Sequence, residues 1–400
     1  MHILYFYQYF STSKGSWGTR VHDFAKQWVL KGHKVTVVTA IYSKSDIVAK
    51  KFFEMQVIDG IELRIINVKI DNTQSLLRRL WTYFIYMLFS CWYALRLPAD
   101  LVIVSSGPIS VGFPGLIAKY LRRKKLVFEV RDLWPQGVIE LGIIKSGFLK
   151  HIFYWFEGVC YKSSKLIVSL SPGIRDNIIS RFPYLEVISV TNPANLKLFQ
   201  NNGYHDRLPQ EIINMNYAIY TGNIGEVNNS YLLFETAIEL KKCGREDILM
   251  VLVGDGQQKL ELLNKAKEMQ IDNFIILDLL PKEKLVPYLQ RAVASIIPLK
   301  DKPVFATSSP NKLFESLAAG VPVIQTTTGW MKDLVNNENI GFNVEANNPK
   351  MLSDLLIEMV NNPETYKDYR KRARLVAEKY FDKDKLAQTM LDALIKVHNN

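Results

Sequence analysis

Apolar runs of strand length alternate along the chain with longer stretches whose apolar residues recur every three or four positions. Met1 to Phe10 reads as a buried first strand, and Ser11 to Arg20 as a polar, glycine-bearing loop. Val21 to Lys31 reads as a helix with Val21, Phe24, Ala25, Trp28 and Val29 on one face, and Lys34 to Thr39 as the second strand. Ala99 to Ser105 and Leu126 to Val130 continue the series of strands, with a helix between them ending near Lys119. After a polar segment from Asn201 to Pro209, expected to be a linker, the pattern starts again. Tyr217 to Tyr220 is a strand, Thr221 to Gly225 a glycine loop, and Ser230 to Lys242 a helix. Strand–loop–helix–strand units of this kind predict an α/β chain of two Rossmann-like domains, residues 1–200 and 210–382.

The stretch Ser308 to Ile324 concentrates the candidate chemistry. Ser309 can cap a helix, Pro310 suits its first position, and Asn311 to Ala319 are good helix formers closed by Gly320. The strand-like Ala294 to Pro298 precedes it and Val321 to Ile324 follows. The helix start therefore falls at the carboxyl edge of a parallel sheet, where ligands bind. Free N–H groups and the dipole favour an anion there, and Lys312 adds a full charge. Glu315, three residues on, shares the face of Lys312 and can accept hydrogen bonds from paired sugar hydroxyls. On spacing alone, an ordinary Lys/Glu pair on a surface helix is the commoner meaning.

The hydrophobic content of 48% and charged content of 22% are those of a soluble globular protein. Cys91, Cys160 and Cys243 lie far apart, which predicts buried free thiols in a reducing compartment. No basic region followed by a cleavable apolar run opens the chain, so a cytoplasmic protein is expected. The net charge of +11 is uneven: residues 1–200 hold 26 Lys+Arg against 13 Asp+Glu, and residues 201–400 hold 24 against 26. A basic first half suggests an anionic partner, nucleic acid or membrane. No zinc-finger spacing, aromatic RNA-binding signature or recognition helix supports nucleic acid. No G-x-G-x-x-G and no Walker loop occurs either.

Leu80 to Leu95 holds no charge and seven aromatics, between Arg78-Arg79 and Arg96. A sixteen-residue helix spans roughly 24 Å, short of a ~30 Å hydrocarbon core. The run suits either a core helix or one laid into a membrane interface through Trp81, Phe84 and Leu88. The basic run from Arg122 and Arg123 to Lys125 is a candidate for lipid headgroups, though a solvated helix end gives the same pattern. At the end of the strand Leu126 to Val130, Arg131 and Asp132 are placed for site chemistry.

The strings EVRDLWPQ (129–136) and S-x-x-K-x-x-E (309–315) followed by small residues, Gly and Pro-Val resemble retaining, nucleotide-sugar-dependent glycosyltransferases of the GT-B fold, family 4. They resemble most a bacterial subgroup that builds O-antigen and capsule sugars, including L-fucosamine (N-acetyl) transferases. The resemblance covers nearly the whole chain. It implies a GT-B architecture of two Rossmann-like domains across a cleft, with the terminal helix, 383–400, packing back on the first domain. It implies transfer of an N-acetylated amino sugar from a UDP-sugar to a polyprenyl-diphosphate-linked saccharide, peripheral on the inner face of the plasma membrane. Carried over residue by residue, it places Gly18 and Arg20 in the glycine loop near the transferred sugar. Asn223, Gly225, Gly254, Leu280, Ser309 and Glu315 fall at the nucleotide sugar, and Arg131, Asp132 and Lys312 at the catalytic centre. No cofactor or metal is expected, and Asp382-Lys383-Asp384 reads as a helix cap. Thr307 stands where the first Glu of the family's E-x7-E pair belongs. Asn223 and Asn229 replace an Arg and a Lys, and Arg131 replaces a His. Two alternatives stay open: a sugar-nucleotide epimerase or hydrolase on a similar two-domain scaffold, and a non-catalytic sugar-nucleotide-binding subunit, to which Thr307, Asn223 and Asn229 point.

Overall fold

The computed structural model describes residues 1–71, 74–200 and 208–400. Its contacts divide the chain into two compact units. The first comprises Met1–Asn192, Thr307–Ser309 and Lys383–Asn400, and the second Pro193–Ala306 and Pro310–Asp382. The change from first to second unit falls at Asn192/Pro193, short of residue 200. Most of the expected linker, 201–207, lies outside the described residues.

The first unit is built on eight strands: β1 (His2–Phe6), β2 (Lys34–Tyr42), β3 (Phe53–Ile58), β4 (Ile61–Ile70), β5 (Leu101–Ser105), β6 (Lys125–Val130), β7 (Leu166–Ser169) and β8 (Val187–Ser189). Their order is β3-β4-β2-β1-β5-β6-β7-β8, parallel except for the β3–β4 hairpin. That hairpin escaped the sequence reading, although Asp59-Gly60 at its tip, both with positive φ, is a strong hairpin signal. β1 is shorter than Met1 to Phe10, because the chain turns at Gln8 and Tyr9. The last helix, Lys383–Asn399, contributes Ala387, Met390, Leu391, Leu394 and Val397 to the same core as β1 and the helix Arg20–Leu30. Trp28 Nε1 donates to Ala387 O at 2.9 Å, tying the two helices together.

The second unit carries β9 (Asn216–Asn223), β10 (Ile248–Asp255), β11 (Phe274–Leu277), β12 (Ala294–Ile297), β13 (Val323–Gln325) and β14 (Gly341–Asn343). The order β11-β10-β9-β12-β13-β14 is parallel throughout. Strand order reverses between β1 and β5 in the first sheet and between β9 and β12 in the second. The carboxyl edge at such a point is where open α/β sheets hold ligands. The cysteines are free, but only Cys160 is buried; Cys243 is exposed.

Candidate functional site

In the second unit, the helix Asn311–Ala318 follows β12 and starts beside the end of β9. Pro310 occupies the N-cap position and Ser309 does not cap, one residue off the expected start. Ser309 instead groups with the first unit, where its carbonyl accepts from Asn192 Nδ2 at 2.8 Å. Leu313, Phe314 and Leu317 are fully buried and fix the helix on the sheet. That packing turns Lys312 inward. Its ammonium donates to Asn228 Oδ1 at 2.9 Å and Tyr220 OH at 3.1 Å, and lies 4.2 Å from the Tyr220 ring centroid.

Burial without a carboxylate in contact lowers the Lys312 ammonium to about 7, with Glu315 pulling weakly the other way. A lysine held at that value is poised to take up a proton when an anion arrives. The backbone around it is bare. Gly222 has a φ of +133°, and a Cβ there would come within 3.6 Å of Lys312 Nζ. Gly222 and Gly254 are paired neighbours near the ends of β9 and β10, and a Cβ on Gly254 would sit 1.8 Å from Gly222 O. Gly225 N–H donates to Ser230 Oγ, and the Asn223 side chain is exposed. Asn229 is buried and donates to Ala346 O at 2.6 Å, so it holds the loop rather than facing a ligand.

Glu315 is not alone on its face. Lys282 Nζ lies 2.7 Å from Glu315 Oε1, both side chains mostly buried. Lys282 opens the helix after β11, just beyond Leu280 and Pro281. Tyr220, Asn228 and Lys282 were missed by sequence reasoning. A Lys in the first turn after Leu-Pro was visible, but its partner is set by tertiary structure alone.

The first unit has a separate polar centre at the ends of β1, β5 and β6. Glu129 is wholly buried and accepts from Arg20 Nε at 2.9 Å, Tyr5 OH at 2.7 Å and Ser105 Oγ at 2.5 Å. Burial works to raise its carboxyl, but Arg20 and then Arg131 hold it below the ordinary glutamate value. Arg20 also donates to Thr191 O and lies over the Phe24 ring. The Arg20 guanidinium is thus engaged in the core, where it clamps the first helix to β6. Gly18 lies in the buried loop just ahead of it. Arg131 is less committed. Its guanidinium stands 4.9 Å from the Tyr7 ring centroid and 3.8 Å from Glu129, and Nη1 is buried without a hydrogen-bond partner. Asp132 is exposed beside it.

The helix that was expected over Leu80 to Leu95 runs Leu76–Arg96. Tyr86, Ser90 and Tyr93 face the core, while Trp81 (62%), Phe84 (47%) and Leu88 (48%) are exposed. It is therefore neither a core helix nor a span: among the described residues no helix is long and apolar enough to cross a membrane. Exposed Phe52 and Phe53 join this helix through ring contacts with Phe89, with centroids 5.1 and 5.0 Å away, and Phe113, Phe148 and Trp155 are further exposed apolar side chains of the first unit. Arg122 Nη1 donates to Leu97 O and Ala94 O, capping the end of this helix. Arg123 stays exposed at a left-handed helix end. Asp382-Lys383-Asp384 lies at the junction of two helices. Among the described residues no three His, Cys, Asp or Glu side chains come together as a metal site.

Two family descriptions match the chain: "Glycosyl transferase 4-like domain" over residues 15–191 and "Glycosyl transferases group 1" over residues 209–376. Together they span most of it. The chain is a family 4 glycosyltransferase. It is 24% identical over 258 residues to a Campylobacter jejuni N-acetylgalactosamine-N,N'-diacetylbacillosaminyl-diphospho-undecaprenol 4-alpha-N-acetylgalactosaminyltransferase, covering 63% of this chain and 66% of that one. The match spans only 57% and 66% of the length of the first two curated relatives. Among solved structures, sucrose-phosphate synthase from Thermosynechococcus elongatus aligns at TM-score 0.74 and 14% identity over 99% of this chain and 98% of that one. HepE of Anabaena, in complex with UDP-glucose, aligns at 0.69 and 14% over 99% and 100%. The glycosyltransferase has the GT-B fold, with one mostly parallel and one fully parallel sheet, each in its own unit.

Proposed function

We propose that this glycosyltransferase is a retaining enzyme that moves an N-acetylated amino sugar, such as N-acetyl-L-fucosamine, from a UDP-sugar to a polyprenyl-diphosphate-linked saccharide. The observation that carries the donor reading is the buried Lys312 at the carboxyl edge between β9 and β12, beside Gly222 and held by Tyr220 and Asn228 rather than by a carboxylate. Such a place accepts a diphosphate and stabilises the charge it gains as the sugar leaves. Glu315, steadied by Lys282, holds the ribose hydroxyls, and the loop at Leu280 holds the base. HepE, of the same fold, was solved with UDP-glucose. The Campylobacter relative acts on a diphospho-undecaprenol saccharide. Attack from the front face, with the donor diphosphate accepting the acceptor's proton, fits this reading and requires no carboxylate nucleophile and no metal.

Glu315→Ala tests the ribose role. It is expected to raise the donor KM by ten- to a hundred-fold, the loss of hydrogen bonds to a charged group worth about 1.5–3 kcal/mol. Unchanged donor kinetics in the folded variant would remove Glu315 from the site.

The acceptor reading implies attachment to a membrane. The apolar face of Leu76–Arg96, between arginines in a basic half-chain, suits an anionic bilayer surface. Co-sedimentation with anionic vesicles is expected to weaken with salt without vanishing, since apolar insertion is not screened. Trp81, Phe84 and Leu88 changed together to Ser should lose the salt-resistant part. A parent protein that ignores both anionic and neutral vesicles would end this reading.

A further inference from the structure

The inner side of the helix Leu76–Arg96 carries a second polar cluster that the donor chemistry does not use. Arg79 Nη2 donates to Tyr83 OH at 3.3 Å. Tyr9 OH lies 3.3 Å from Tyr83 OH and 3.3 Å from Gly107 O. The Tyr9 ring packs on Tyr42 and Trp17, with centroids 5.2 and 6.3 Å away, and Trp17 meets Tyr42 at 5.0 Å. These residues come from the carboxyl ends of β1 and β2 and the loop after β5. The cluster therefore stands at the point where the first sheet reverses strand order.

Two of its groups are buried and have no hydrogen-bond partner, Trp17 Nε1 and Arg79 Nε, and the same holds for both amide atoms of Gln8, the residue before Tyr9, which is 3% exposed. Native cores seldom leave such groups unmet, and several together call for an occupant. The direct partner of Arg79 is a phenol oxygen, with Tyr9 and Tyr42 beside it, so its charge is available to an anion. Aromatic faces at Trp17 and Tyr9 suit the apolar face of a sugar ring. The opposite side of the same helix bears Trp81, Phe84 and Leu88. A helix with side chains is about 10 Å across, so Arg79 lies about one helix diameter from the lipid-facing surface.

We infer that this cluster binds the diphosphate and first sugar of a lipid-carried acceptor, with Arg79 on the diphosphate and Trp17 against the sugar. One helix then reads both parts of an isoprenyl diphosphate, its outer face meeting the lipid and its inner face the phosphates. The inference rests on the proposed acceptor class. It adds the residues that would recognise it.

Calorimetric titration of the full chain tests it, using farnesyl diphosphate, farnesol, UDP and phosphatidylglycerol vesicles. Farnesyl diphosphate is expected to bind at least tenfold more tightly than farnesol. Arg79→Gln should weaken it tenfold or more and Arg79→Lys less, with UDP affinity and unfolding temperature unchanged. Should Arg79→Gln not fold, Tyr83→Phe removes only the hydroxyl that steers Arg79, and a loss of about threefold is expected. Equal affinity of the folded variant and the parent for farnesyl diphosphate overturns the inference. So does a loss of vesicle binding as large as the loss of farnesyl diphosphate, which would make the site a headgroup reader. Farnesyl diphosphate binding that depends on Arg79 in a protein that ignores UDP would support this site and sink the donor reading instead.

Discussion

Lys312→Met is expected to lower kcat by about 100- to 1,000-fold, the usual cost of removing one preorganised group that stabilises developing charge. The same change should leave the fold at least as stable. Burial already penalises the ammonium, bringing it down to about 7, and methionine fills the same space without that penalty. A structural lysine would behave in the opposite way, losing stability and keeping turnover at saturating donor. The pH dependence follows from the same position. Near pH 7 the free protein holds Lys312 partly neutral, and a diphosphate favours the charged form. Binding then takes up a proton, so UDP affinity should fall as pH rises above about 7. Uridine, lacking phosphates, should show no such fall. Equal pH dependence for both would detach Lys312 from the phosphates.

Glu129→Gln is expected to destabilise the first unit by about 3–5 kcal/mol, because it strands the buried Arg20 without its counter-charge. Changing both, Arg20→Met with Glu129→Leu, should recover only part of the loss, since paired removal of a buried ion pair costs little but Tyr5 OH, Ser105 Oγ and Arg131 also lose their acceptor. Denaturant unfolding of the three variants reads both effects. Glu129 titrates below the ordinary glutamate value when folded. Its contribution is therefore complete above about pH 4.3, the unfolded value, and disappears as pH falls through the folded one. The acid-unfolding profile of Glu129→Gln should accordingly be shallower than that of the parent. A change of under 1 kcal/mol would show that Arg20 finds other partners.

The sequence showed what depends on local pattern. β2, β5 and β6, the helix Asn311–Ala318 and its closing Gly320 follow from apolar runs, good helix formers and a residue free to take positive φ. Lys312 and Glu315 were visible because three residues put two side chains on one face. What it did not show depends on partners distant along the chain. Arg20 read as a loop residue open to ligand, yet Glu129, 109 positions away, draws it into the core. Arg122 read as a headgroup contact, yet it caps a helix 25 residues earlier. Lys282 and Asn228 gave no local sign of their roles beside Glu315 and Lys312. The length of the aromatic helix was also underread, because Leu76 to Arg79 includes two arginines that a search for uncharged runs stops at.

The most direct test is a transfer assay. The purified protein is incubated, with a chelator present, with a panel of UDP-sugars and a polyprenyl-diphosphate-linked saccharide, and the products are read by mass. The account predicts a lipid-linked product one N-acetylated amino sugar heavier, formed from one donor of the panel, with UDP released in equal amount and the anomeric configuration of the donor retained. Consumption of a UDP-sugar at the same rate without acceptor, or binding of donors with no transfer to any lipid-linked saccharide, would contradict it.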